Sequence, residues 1–309
     1  MKLIKIRNSM LLLLTSIIWG VAFVFQSKGA DVMRPFTFNC IRFFIGGSVL
    51  LVLIAAITLL NGKKEKISDN KMWLKGGIFC GIAMFVATNL QQLGIEHTTV
   101  GKAGFITAFY IVIVPIISIF FNKKTSLFIW ISVALALIGL YFLCINESLS
   151  ISMGDLLIFL CALAFSVHIL IVDRFSPLCD GVKMSCVQFY VCSALSCVFM
   201  LIFENDEIPN AINALRGFEA WQALIVTGVF SCGVAYTLQI IGQKNLNPTV
   251  ASLILSLESV MCALSDWIIC GNTMSSREMF GAGLMFAAIV LSQLPSGVFK
   301  KRTIHKVLF

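Results

Sequence analysis

The sequence predicts an all-α integral membrane protein of ten transmembrane helices, arranged as two inverted five-helix repeats over residues 10–145 and 154–295. Three observations predict it. The composition is 59% hydrophobic and only 12% charged, with a mean hydropathy of +0.95, whereas soluble domains carry about 25% charged residues. Ten apolar runs reach the roughly 17–25 residues that cross a bilayer. A weak internal match also relates the two halves at one constant offset.

The runs lie at about 10–30, 36–60, 73–93, 102–121, 127–145, 154–172, 185–203, 220–241, 249–270 and 277–295. The first, with its basic head, imitates a secretory signal peptide. It has no A-x-A site, and its removal would leave an odd number of spans. With the N-terminus inside, 17 Lys and Arg fall in inner segments and 5 in outer loops, Arg42 being uncounted within the second run. The positive-inside rule then puts both termini in the cytoplasm and the acidic stretch ENDE (204–207) outside. The basic residues punctuate apolar runs and form no patch with interleaved aromatics, so the net charge of +8 does not indicate nucleic acid. Eleven cysteines include no CxxC pair, so neither a disulfide framework nor a metal site is expected, and no cofactor is implied.

Polar side chains within spans face the bundle interior, because lipid offers them no partner. In the first run Trp19, Phe23 and Gln26 share one helical face, a stripe that suits an apolar or aromatic substrate or ordinary packing. Arg42 in the second run is placed to snorkel outward or to pair with Asp31. Asn89 and Gln92 in the third run, and Tyr236 and Gln239 in the eighth, are i, i+3 pairs that fit either a polar, zwitterionic substrate or interhelical hydrogen bonds. The fourth run presents Thr107 and Tyr110 beside Gly104. In the sixth, His168 lies about four residues from the cytoplasmic end and is a candidate proton carrier or a simple hydrogen-bonding residue.

Glu258 is the sharpest candidate. It lies about 13 Å along the ninth run at 1.5 Å per residue, near the midplane, where an ionised carboxylate costs at least ~2.5 kcal/mol. It is a proton site, a ligand for a substrate ammonium, or a packing residue that bonds a neighbouring helix.

The internal match aligns NLQQLGIEHTTVGKAGFI, from Asn89, with TLQIIGQKNLNPTVASLI, from Thr237. Leu90, Gln91, Gly94, Ala103 and Ile106 each recur 148 residues later, as Leu238, Gln239, Gly242, Ala251 and Ile254. Five spans per half invert the second half, a common carrier construction with substrate held near the midplane.

The order of SIIWGVAFVFQ, CIRFFIGG, GKAGFITAFYIVIVPIIS, GDLLIFLCALAFSVHILIVDRF, VASLILSLESVMCAL and SSREMFGAGLMFAAIVL resembles the drug/metabolite transporter superfamily, in its EamA-type branch, over about residues 10–295. Members move small metabolites, often amino acids and frequently outward; others carry sugar phosphates, nucleotide derivatives or S-adenosylmethionine. Two departures are visible. Ser259 replaces the proline usual after the ninth-helix glutamate, while Pro115 is kept in the fourth, so the case for a break is weaker in the ninth helix. Asn272 stands where an acidic residue is common, so coupling and gating are not carried over.

The expected function is therefore a secondary carrier of amino acids or related compounds in a cytoplasmic (inner) membrane. It would be an exporter working by alternating access, with proton coupling at Glu258 or His168 and a monomeric or homodimeric state. No HExxH, GxSxG or nucleotide-binding motif is present, so catalytic residues are not expected. The alternatives are a non-transporting membrane scaffold or a carrier of nucleotide-type, sulfonium or drug-like cargo.

Overall fold

A computed structural model describes residues 2–60, 71–98, 100–121, 126–144, 152–271 and 273–292. The basic clusters at 63–66, 123–124 and 300–306, Asn272, and the end of the tenth run lie outside the described residues. Every regular element among them is helical. Among the described residues, eight helices are long and apolar enough to cross a membrane.

Three of these are α1 (Lys2–Ala30), α2 (Pro35–Leu60) and α3 (Met72–Ile95). The fourth is broken into α4 (Val100–Thr107) and α5 (Tyr110–Phe120). After α6 (Leu127–Cys144) come α7 (Met153–Phe175) and α8 (Gly181–Phe203), then the short α9 (Ile208–Ala214). The next crossing joins α10 (Phe218–Ile225), a π-wound stretch Val226–Tyr236 and α11 (Thr237–Gln243). The eighth is the broken pair α12 (Pro248–Leu255) and α13 (Glu258–Cys270), and α14 (Ser276–Ser292) follows it. The sequence runs therefore recur in order, with α6 and α14 shorter than the rest at 18 and 17 residues.

Polarity is distributed as lipid requires. Leu51, Val52, Ile119, Phe120, Leu201 and Ile202 face outward, while Gln26, Arg42, Asn89, Gln188, Gln239 and Glu258 are buried. The hydrophobic effect does not drive helices together in lipid, so close packing and hydrogen bonds must. The packing is close at two glycine crossings. A Cβ on Gly20 would lie 2.3 Å from the Met261 Cβ, fixing α1 against α13. A Cβ on Gly281 would lie 2.5 Å from the Gly139 carbonyl oxygen, fixing α14 against α6.

The helices pack across the halves. α3 lies against α7 and α8, and α1 against α11 and α13. Helix α2 packs on α8, and Glu204 ties the N-terminal end of α2 to the C-terminal end of α8. Its carboxylate accepts from the Phe36 and Thr37 amides at 3.0 and 2.8 Å and from the Thr37 hydroxyl at 2.8 Å. A carboxylate there satisfies orphan N–H groups and suits the positive end of the α2 dipole.

Candidate functional site

The two broken helices share one design. α4 begins at Val100 and ends at Thr107, and α5 begins at Tyr110. α12 begins at Pro248 and ends at Leu255, and α13 begins at Glu258. Each boundary in the second pair lies 148 residues after its counterpart, the offset of the sequence match. The hydrogen bonding corresponds too. Phe109 and Ile111 donate to Ile106 and Ala108, and Leu257 and Ser259 donate to Ile254 and Ser256, all with i−3 spacing.

The break in α12/α13 therefore forms without a proline at position 259, correcting the weaker sequence expectation. One local cause is visible. The Ser256 hydroxyl donates to the Leu253 carbonyl at 2.8 Å, the acceptor that Leu257 N–H would use in a regular helix.

At the breaks, the Tyr110 hydroxyl donates to Glu258 Oε1 at 2.8 Å. The two residues that restart the two broken helices, equivalent under the internal match, thus bond to each other in the interior. Both line a cavity with Trp19, Phe23, Gln26 and Arg42 on one side and Gln91, Tyr236 and Gln239 on the others. Trp19 and Tyr236 are in contact, with ring centroids 4.6 Å apart. Ser231 and Tyr236 reach the cavity from the π-wound stretch, a winding common at functional sites. The space in which the centre of a water molecule fits is about 30 Å³, enough for one or two waters.

Several polar atoms on this wall are buried without a hydrogen-bond partner: Trp19 Nε1, Arg42 Nε and Gln239 Oε1. Arg42 Nη1 donates to Gln26 Oε1 at 2.7 Å. Arg42 is thus buried at 3% exposure and neither snorkels nor pairs with Asp31, because its helix turns it onto the cavity between Phe38 and Phe43.

The expected site residues divide into two groups. Trp19, Phe23, Tyr110, Tyr236, Gln239 and Glu258 come together on the cavity. Asn89, Gln92, Thr107 and His168 stand behind it. Asn89 bonds Asn39, the Phe85 carbonyl and Ser196, joining α2, α3 and α8. Gln92 donates to the Gln26 carbonyl at 3.0 Å. Thr107 accepts from Gln91 at 3.4 Å. His168 Nε2 meets Gln188 Oε1 at 3.1 Å and is fully buried, the hydrogen-bonding role expected for it.

Gln91 and Arg42 complete the wall, and sequence reasoning did not select them. The signal for Gln91 was present, since the internal match pairs it with Gln239. A larger cleft, with about 800 Å³ on the same measure, lies beside Ile117, Phe121, Leu170 and Phe175. It is mainly apolar and holds none of the expected residues, so the smaller cavity with its convergent polar groups is the better site. Among the described residues no three His, Cys, Asp or Glu cluster as metal ligands, and none of the nine cysteines whose side chains are described is in a disulfide.

Comparison with known proteins gives a consistent picture. The model of the EamA-like transporter family matches the chain twice, over residues 7–145 and 152–294. An uncharacterized transporter of Archaeoglobus fulgidus is 30% identical over 290 residues, covering 92% of this chain and 84% of that protein. The uncharacterized transporter YoaV of Bacillus subtilis is 25% identical, covering 90% and 93%. The uncharacterized inner membrane transporter YedA of Escherichia coli K12 is 23% identical, covering 93% and 91%. A solved crystal structure aligns with a TM-score of 0.73 at 17% identity, covering 92% of this chain and 96% of its own, and shows the shared fold.

Proposed function

Because this chain belongs to the EamA-like transporter family and is a multi-pass membrane transporter, we propose that it is a secondary exporter of amino acids or closely related metabolites. Its ten spans form two inverted halves at 10–145 and 154–295, both termini are cytoplasmic, and the cargo binds in the cavity between the halves.

The observation that carries this reading is the bond between Tyr110 and Glu258. It joins the breaks of two equivalent helices beside buried, unpartnered polar atoms. Broken spans at a midplane site are the usual way for a carrier to expose backbone and side-chain groups to cargo. The space of about 30 Å³ is too small for an amino acid, so loading requires the halves to part. Alternating access supplies that movement: the Tyr110–Glu258 contact closes the site, and its separation opens the site toward one side.

Glu258 holds either a transported proton or the cargo ammonium. The deciding experiment is flux of labelled amino acids into proteoliposomes, with and without a pH gradient. Saturable movement of one or a few is expected. No movement of any would overturn the amino-acid reading and point to sulfonium, nucleotide-type or drug-like cargo.

A further inference from the structure

We propose that Arg42 is an anion-binding subsite of the cavity, and that it selects cargo carrying a carboxylate opposite the group held by Glu258. The inference rests on the reading of this cavity as the cargo site and names the chemistry of that cargo. Arg42 has five N–H donors in a planar fork. Among the described residues, the hydrogen bond they make runs from Nη1 to Gln26, and Nε is buried without a partner. No carboxylate among the described residues lies within ion-pair distance of it.

A guanidinium inside a membrane span is unfavourable and needs partners. The rings of Phe38 and Phe43, 5.4 and 5.0 Å from its carbon, are partial ones. They leave the hydrogen-bonding edge of the fork unmatched, and that edge fits the two oxygens of a carboxylate.

Charge narrows the cargo further. The same wall carries Glu258, so an ionised site offers one positive and one negative group. A zwitterion matches both. A phosphate dianion would face Glu258 with excess negative charge, and a plain amine would leave Arg42 unmatched. Gln92 positions the arrangement from behind, since its donation to the Gln26 carbonyl fixes the residue that orients Arg42.

The test compares L-phenylalanine, 3-phenylpropionate (no ammonium) and phenethylamine (no carboxylate) on the full chain. Binding is read as the shift in unfolding temperature of the purified protein, and transport as saturable phenylalanine flux in proteoliposomes with the other two compounds as competitors. Glu258 already has a protein partner in Tyr110 whereas Arg42 Nε has none, so the acid is expected to bind and compete at least tenfold better than the amine. Arg42→Gln should abolish that preference, and Arg42→Lys should keep part of it. A preference for the acid in binding that is lost in Arg42→Gln supports the subsite. If phenylalanine moves or binds but carboxylate preference is absent, or survives Arg42→Gln unchanged, the subsite is overturned and the carrier reading stands. If the acid binds through Arg42 while phenylalanine is not moved, the amino-acid carrier reading fails and the subsite stands. If none of the three binds or moves, both fail.

Discussion

Glu258 accepts a hydrogen bond from Tyr110 at 4% exposure, so the acceptor depends on that donor. Tyr110→Phe leaves a buried carboxyl oxygen unmatched, which costs about 1–3 kcal/mol, and should lower the unfolding temperature and alter flux. Glu258→Gln should fold. If Glu258 carries a proton, the pH dependence of flux should change in that variant, and identical flux at every pH would remove the proton role. The double variant should be non-additive by at least ~0.5 kcal/mol, as for residues in contact; additivity would show that the pair is not coupled. A second contrast concerns α3. Gln91→Ala should raise KM and lower the unfolding temperature less than Gln92→Ala, because Gln91 faces the cavity and its bond to Thr107 is long at 3.4 Å. Gln92→Ala should lower the unfolding temperature, because Gln92 holds the Gln26 carbonyl. This contrast also explains which site residues were legible. Polarity within a span identifies inward-facing residues, but cavity and helix contact are both inward. Asn89 and Gln92 satisfy the second, and only the recurrence of Gln91 as Gln239 distinguished the first. Arg42 was misread because its distance from the helix end suggested an exit to the headgroups, whereas Gln26 and two phenyl rings hold it inside.

Helix ends carry the next level of specification. Glu204 closes the N-terminus of α2 from the end of α8 with three hydrogen bonds. Glu204→Ala should therefore destabilise the protein by about 1–3 kcal/mol, visible as a lower unfolding temperature, whereas Asp206→Ala, at an exposed neighbour, should be near neutral. At the end of α3, burial pushes the Glu96 carboxyl above its usual range, and Arg34 opposes the shift. The folded protein then takes up this proton more readily than the unfolded chain. The resulting stabilisation is present below the unfolded value near 4.5 and is lost as pH rises through the folded value. Glu96→Gln should flatten the fall in stability that begins as pH rises past the unfolded value near 4.5; an unchanged profile would assign the dependence elsewhere. Element positions were readable from hydropathy alone, because lipid imposes a length and a polarity on every crossing. The break in the ninth run was not, because proline is one of several ways to interrupt a helix. There a serine hydroxyl takes the carbonyl that the next turn needs.

At the scale of the whole molecule, α6 and α14 decide how the halves are related. Eight spans would give four per half and two halves of the same orientation, whereas ten give five per half and an inversion. The closely crossed glycines Gly139 and Gly281 bind α6 to α14 as a pair. Apolar residues such as Ile131, Ile138, Phe286 and Val290 point away from the protein. At 18 and 17 residues the two helices extend about 26 Å at 1.5 Å per residue, slightly short of a hydrocarbon core of about 30 Å, a mismatch that local thinning or snorkelling accommodates. The proposed ten-span arrangement requires both to cross, which would put the two ends of α6 on opposite sides. This is directly measurable. Single cysteines at Ser126 and Ser152, in a background whose native thiols are replaced, should react with an impermeant reagent from opposite faces of the membrane, Ser126 from the cytoplasm. Reaction from the same face would mean that α6 does not cross. The inversion would then fail, and the bond between Tyr110 and Glu258 would lose its meaning as the meeting of two oppositely oriented repeats.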